Sequence, residues 1–456
     1  MTARVCVVGA VALAVWALAP TFPNYDSYYH LVWGRELLEG MTPSFEAYAA
    51  PTKHPLWVLL ATALGLIGES ADRALVLVCW LSWGTLVLGA WRLGEVVFGR
   101  WPGALAALFV AGSASFVLYA ARGYVDVPFL ALVVWAAVCA HGGRTTRAFA
   151  LLATAGLLRP EAWVLAGLWW LFGDSRTWRT AILVALAPVV WVLVDLLATG
   201  DPLHSLHATS ALADDLGREQ GIAKVPGAFA EFLAATVRPP VAALGFLGIV
   251  LAIRLRGWRA VGVPLGLVVA GVATFLATGV AGLSILPRYL TVPAVALCVF
   301  AGYALAGFTT LDAGPVRERW RKTSLAGAIL GAVVLAVLAP SVANVREEVR
   351  FIRASHDALV ELLDDPAVRA GLRCGPLTFP NYRLVPDARW HLDAPASAVG
   401  ARSFERAERG VAIFALGTKG LRRFGFADGA SPSTNVPDEG FARVAGNERF
   451  AAYVSC

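Results

Sequence analysis

Charge is what this sequence lacks most: only 15% of its 456 residues are Asp, Glu, Lys or Arg, against about 25% in an ordinary soluble domain. The shortfall sits in long apolar runs, and 58% of the chain is hydrophobic. That excludes a conventional soluble enzyme and points to membrane spans. There is no CxxC pair and no Cys/His spacing suited to zinc. Of six cysteines, Cys6, Cys79, Cys139 and Cys298 lie in apolar runs and read as small buried hydrophobes. Cys374 and Cys456 lie in a polar tail and are disulfide candidates if that tail is extracytoplasmic. There is no internal repeat and no low-complexity tract.

The net charge of +6 divides unevenly. From Asn344 onward there are 15 Lys+Arg and 14 Asp+Glu, which leaves 23 and 18 for the rest. The surplus belongs to the membrane part, where it orients the chain and does not indicate nucleic-acid binding. The 16 Trp cluster near the ends of apolar runs, as interfacial anchors do. Arg4 followed by an apolar run to Pro20 has the look of a signal peptide, but with further spans following it reads as a retained first helix.

Apolar runs place about eleven spans near 5–20, 72–94, 102–121, 127–141, 147–158, 161–173, 180–198, 240–253, 260–280, 288–309 and 323–343. The stretch 54–68 is too short to cross upright and reads as a helix lying at the interface. With the N-terminus cytoplasmic, the inside loops carry Arg100; Arg144 and Arg147; Arg176 and Arg179; Arg254, Arg256 and Arg259; and Arg317, Arg319, Arg321 and Lys322. Every inside loop is then basic, as the positive-inside rule requires. The expected architecture is an all-α polytopic membrane domain over 1–343, with outer loops 21–71 and 199–239, followed by a small extracytoplasmic α/β domain over 344–456.

Ionisable groups converge on the outer side. The first outer loop holds Tyr25, Asp26 and His30, then Lys53 and His54; the second holds Arg122, Tyr124 and Asp126; Arg159 with Glu161 and Arg288 with Tyr289 follow. Such groups near a membrane are functional candidates. Together they suit glycosyl transfer from a lipid phosphate. A carboxylate removes the acceptor hydroxyl's proton, cations stabilise the departing phosphate, and aromatics stack on sugar faces. Plainer roles stand beside these. Asp26 and Asp126 are placed to cap helices, Arg159 and Glu161 to pair in a broken helix, Arg288 to anchor at the interface, and His54 to begin the surface helix.

The pattern resembles the membrane glycosyltransferases of the C-type (GT-C) fold, which include protein O-mannosyltransferases, lipid A aminoarabinose transferases and the catalytic subunit of oligosaccharyltransferase. The resemblance rests on Asn24-Tyr25-Asp26 in the first outer loop, Lys53-His54-Pro55-Leu56-Trp57, Gly123-Tyr124-Val125-Asp126 and Arg288-Tyr289, within about residues 5–310. It implies Asp26 as catalytic base, with Lys53, His54, Arg288 and Tyr289 near the donor phosphate. It places Asp126, the second catalytic candidate, in the acceptor or metal region; Tyr25, His30, Arg122, Tyr124, Arg159 and Glu161 are substrate-pocket candidates by their outer position. The implied donor is a polyprenyl-phosphate sugar, and the implied acceptor an envelope glycan, lipid or protein. Pro128 stands where a second acid would serve a divalent metal, so the pattern leans toward metal-independent members. The rival reading is a transporter or flippase of lipid-linked sugars, which the Arg159-Pro160-Glu161 break favours. A second rival keeps the fold without activity, as an envelope assembly protein.

Overall fold

The computed structural model describes residues 2–173, 176–337, 340–425 and 432–456. Among these, five helices are long and apolar enough to cross a membrane: Gly68–Phe98, Trp178–Thr199, Pro239–Arg256, Gly262–Val280 and Pro287–Thr310. A sixth is counted if Arg100–Ala111 and Ala114–Ala121 form one span bent by 57°. The bend falls inside the expected 102–121 span. Ser113 adopts extended backbone there, and its hydroxyl donates to the Thr236 carbonyl at 2.9 Å.

Other expected spans are shorter than hydropathy suggests. Thr145–Gly156 and Glu161–Phe172 have 12 residues each, so each rises about 18 Å, well short of the roughly 30 Å hydrocarbon core. The helix Pro315–Val337 begins eight residues before the expected 323–343 run, which partly lies outside the described residues. The structure therefore does not reproduce a count of eleven full-length spans. The surface helix is Pro55–Gly65, with Pro at its first position. Leu59, Leu66 and Ile67 in this stretch stay exposed, as an interfacial segment requires.

Local signals explain where the long helices start and stop. Trp178–Thr199 begins with a Thr177/Thr180 capping box and ends at Gly200 in the left-handed conformation. Pro239–Arg256 starts on Pro239 and Pro240 and ends with Arg254 and Arg256 in its last turn, complementing the helix dipole.

The helix Thr291–Ala306 forms the centre of the bundle, with every residue but Leu305 buried. Helices Arg100–Ala111, Pro239–Arg256 and Gly262–Val280 pack around it. Contact is backbone-close at Gly248, where a Cβ would strike the Phe300 carbonyl, and at Gly302, where it would strike the Pro102 carbonyl. Small residues permit such approach where lipid offers no hydrophobic drive between helices.

After helix Pro340–Leu363 the chain forms a mixed sheet of β1 (Leu377–Phe379), β2 (Val399–Ala401), β3 (Gly410–Ala415), β4 (Ala442–Gly446) and β5 (Phe450–Ser455), in the order β2-β1-β3-β5-β4. β1 runs parallel to β2 and β3, while β5 runs antiparallel to β3 and β4. All six residues of β3 are buried, as a central strand covered on both faces should be. Cys374 and Cys456 are disulfide-bonded, with Cα atoms 5.1 Å apart.

The sheet unit sits on the first loop segment. Arg389, 1% exposed as a side chain, donates to Glu36 Oε1 at 2.7 Å and to Ser44 Oγ at 3.1 Å. In return, Arg35 donates to the carbonyls of Arg389 and Trp390 at 3.0 Å each.

Candidate active site

The site begins with Asn24. Its side-chain oxygen accepts from the backbone N–H of Asp26 at 2.8 Å and of Ser27 at 3.3 Å, capping the helix Tyr25–Leu38. Its amide donates to the Arg122 carbonyl at 3.0 Å, fixing the cap against the second loop. Capping therefore falls to Asn24, and the Asp26 carboxylate is free for other work. It accepts from Arg288 Nη1 at 2.8 Å, both side chains about a quarter exposed. Arg288 stands on a short 3-10 turn, Pro287–Leu290, and its buried Nε has no hydrogen-bond partner among the described residues.

Asp26 and Arg288 line a cleft with Tyr25, Thr52, Thr209, Arg218, Tyr289 and Tyr382. Tyr25 donates to the Ala49 carbonyl at 2.5 Å and packs edge-on to Tyr382 at 5.1 Å, so the C-terminal unit forms one wall. Thr209 and Arg218 were not among the site residues read from the sequence. The length of the 199–239 loop was the available signal for both. In the structure that loop forms helices His204–Asp215 and Val225–Val237.

Lys53 lies nearby, 3% exposed, with its ammonium 3.0 Å from Asp195 Oδ1 and 4.7 Å from the Phe45 ring centre. The contact is ionic but misaligned, and among the described residues the ammonium makes no aligned hydrogen bond. Lys53 also lines an apolar groove with Leu37, Met41, Val58, Leu59, Val194 and Leu197. Leu37, Met41, Leu59 and Leu197 are exposed on the outer surface of the helices.

The remaining candidates lie elsewhere. Asp126 is fully buried and is the first residue of its helix, but it caps nothing; it pairs with Arg159, which also pairs with Glu161. Arg159 sits 5.4 Å from the Tyr289 ring centre, placing this triad behind the cleft wall. Asp126 therefore does not join Asp26 as a second cleft carboxylate. Arg122 donates to the Pro23 carbonyl at 3.0 Å, and Tyr124 packs on Tyr119 at 4.9 Å.

His30 and His54 stack at 5.3 Å, both buried. His30 Nδ1 lies 2.6 Å from the Asp26 carbonyl, and its Nε2 accepts from the His54 backbone N–H at 3.2 Å. That arrangement fixes a neutral tautomer with the proton on Nδ1. Burial pushes His30 down to about 4, against the upward pull of the Asp26 carbonyl. Burial also carries His54 well below its ordinary value, helped by the neighbouring His30 and by the cations Arg159 and Arg288. These histidines tie the loop before Lys53 to the Asp26 helix and do not line the cleft. Among the described residues, no three His, Cys, Asp or Glu side chains cluster as metal ligands.

No family model matches the chain, and no curated protein matches it. Among solved structures it is similar to ArnT from Cupriavidus metallidurans bound to undecaprenyl phosphate, at 13% identity, covering 99% of this chain and 98% of that one, with a TM-score of 0.61. The apo state of ArnT is similar at 14% identity and a TM-score of 0.55, with the same coverage. The oligosaccharyltransferase of Archaeoglobus fulgidus, tethered to an acceptor peptide containing the NVT sequon, is similar at 13% identity and a TM-score of 0.51, covering 88% of this chain and 63% of that one. The chain is thus an integral membrane protein with the C-type fold of these glycosyltransferases, the fold that the sequence resemblance implied.

Proposed function

We propose that this protein transfers a single sugar from a polyprenyl-phosphate donor to an acceptor in the cell envelope, on the outer face of the membrane. The observation that carries this is the pairing of Asp26 with Arg288 in a cleft, together with a buried Lys53 that lines an apolar groove. The groove suits a prenyl chain and the two cations suit its phosphate. Asp26 takes the proton of the acceptor hydroxyl as the oxygen bonds to the anomeric carbon. The bond from that carbon to the phosphate oxygen breaks, and the charge left on the phosphate is held by Arg288 and Lys53.

Asp26 is the one carboxylate lining the cleft among the described residues, and Asp126, the acid assigned to a metal region, is committed to Arg159. The donor set does not fit a divalent cation beside Asp26, so no step is routed through one. The basic loops support a cytoplasmic N-terminus with the cleft and C-terminal sheet outside, where lipid-linked sugars are available and nucleotide sugars are not.

The test uses purified protein in lipid with radiolabelled polyprenyl-phosphate sugars and envelope extract, comparing wild type with Asp26→Asn. Transfer by the wild type alone is expected, with a loss of about 10²–10⁴-fold in the variant. No transfer from any donor, with donor crossing sealed vesicles instead, overturns the reading in favour of a flippase.

A further inference from the structure

Asp195 and Lys53 form an ion pair between residues that are 4% and 3% exposed as side chains. The two partners depend on it unequally. Asp195 Oδ2 accepts from the Ser205 backbone N–H at 2.8 Å, and Oδ1 accepts from the Ser205 hydroxyl at 2.8 Å. Its carboxylate is therefore satisfied without Lys53. Among the described residues the Lys53 ammonium has the Asp195 ion pair but no aligned hydrogen bond. A buried cation held by a misaligned ion pair and the face of the Phe45 ring gains aligned hydrogen bonds from a new anion, while Asp195 keeps both of its Ser205 hydrogen bonds on release. The groove reaches this point directly, since Val194, Leu197 and Ala198 from the Asp195 helix line it with Lys53.

Resting on the reading of Lys53 as a ligand of the donor phosphate, we propose that Asp195 is the counter-charge that Lys53 exchanges for that phosphate. Asp195 is a positioning residue: it keeps Lys53 compensated while the site is empty and competes for it afterwards, so that the phosphate carrier left by transfer can depart. A site whose cation is mostly engaged binds its ligand more weakly by the fraction engaged.

The exchange predicts a sign that a merely structural residue would not give. Farnesyl phosphate binding is measured by tryptophan quenching on the full chain in nanodiscs. Asp195→Asn is expected to tighten binding about tenfold and to slow steady-state turnover through carrier release. Ser205→Ala moves the other way, weakening binding about threefold, because a carboxylate short of a donor holds Lys53 harder. This second variant keeps the question open to test should Asp195→Asn fail to fold. In a Lys53→Met background both shifts vanish. Weaker or unchanged binding by Asp195→Asn, or the same shift with and without Lys53, overturns the proposal. Wild-type binding by Lys53→Met alone instead overturns the donor-site reading on which it rests.

Discussion

Arg288 and Asp26 stand 262 positions apart in sequence and meet at 2.8 Å in the cleft. Under the function proposed above, the base and the phosphate ligand neutralise one another until a donor binds. On that reading, a donor phosphate that draws Arg288 away would uncover the carboxylate, and base activation would follow donor arrival. Arg288→Ala is expected to weaken donor affinity by about 2 kcal/mol, or roughly thirtyfold, with acceptor affinity changed far less. Separate titrations of donor and acceptor check this, and unchanged donor affinity would count against the assignment.

Arg159 holds two buried carboxylates, Asp126 and Glu161, behind the cleft wall. Replacing Arg159 with Met leaves both without their cation in a dry setting. The expected loss is about 3–5 kcal/mol of stability. Adding Asp126→Asn and Glu161→Gln to Arg159→Met should recover most of it. Thermal midpoints of the single and triple variants decide the point; equal midpoints for wild type and Arg159→Met would show the triad to be dispensable.

His30 is held down at about 4 by burial. A lowered value favours the neutral ring in the fold, so its contribution is complete above the ordinary value of about 6.5 and is lost as pH falls from there toward 4. The full drop amounts to about 3 kcal/mol. Wild-type stability should therefore fall more steeply than that of His30→Gln between pH 6.5 and 4. Parallel curves would remove His30 from the acid response.

The Cys374–Cys456 bridge closes a separation of 82 residues around the sheet. Cys374→Ser should lower stability by about 2–4 kcal/mol, and reducing agent should do the same to the wild type. A melting curve with and without reductant measures it.

The first loop was legible because its chemistry is compact: Asp26 and Lys53 stand out as ionisable groups beside apolar runs. The partners were not legible, since nothing local links Asp26 to Arg288 or Lys53 to Asp195, 142 positions on. Asn24 and Asp26 are both good caps, and only the geometry awards the cap to Asn24. The number of full-length spans was not legible for a related reason. Hydropathy averages over the Ser113 bend and over the break at Arg159-Pro160, so short helices read as complete spans. The C-terminal α/β character followed from pattern, whereas the strand order depends on pairings such as Leu377 with both Val399 and Val411, which no sequence period encodes.

The grip of Arg389 on Glu36 has a consequence for how the molecule comes apart. Each is a buried charge whose compensation comes from the other end of the chain. Peeling the sheet unit from the helical bundle would strand both at once, a penalty of several kcal/mol. Partial opening along this seam is thus disfavoured, and heat or denaturant should dismantle the two regions in one concerted transition instead of releasing the C-terminal unit first.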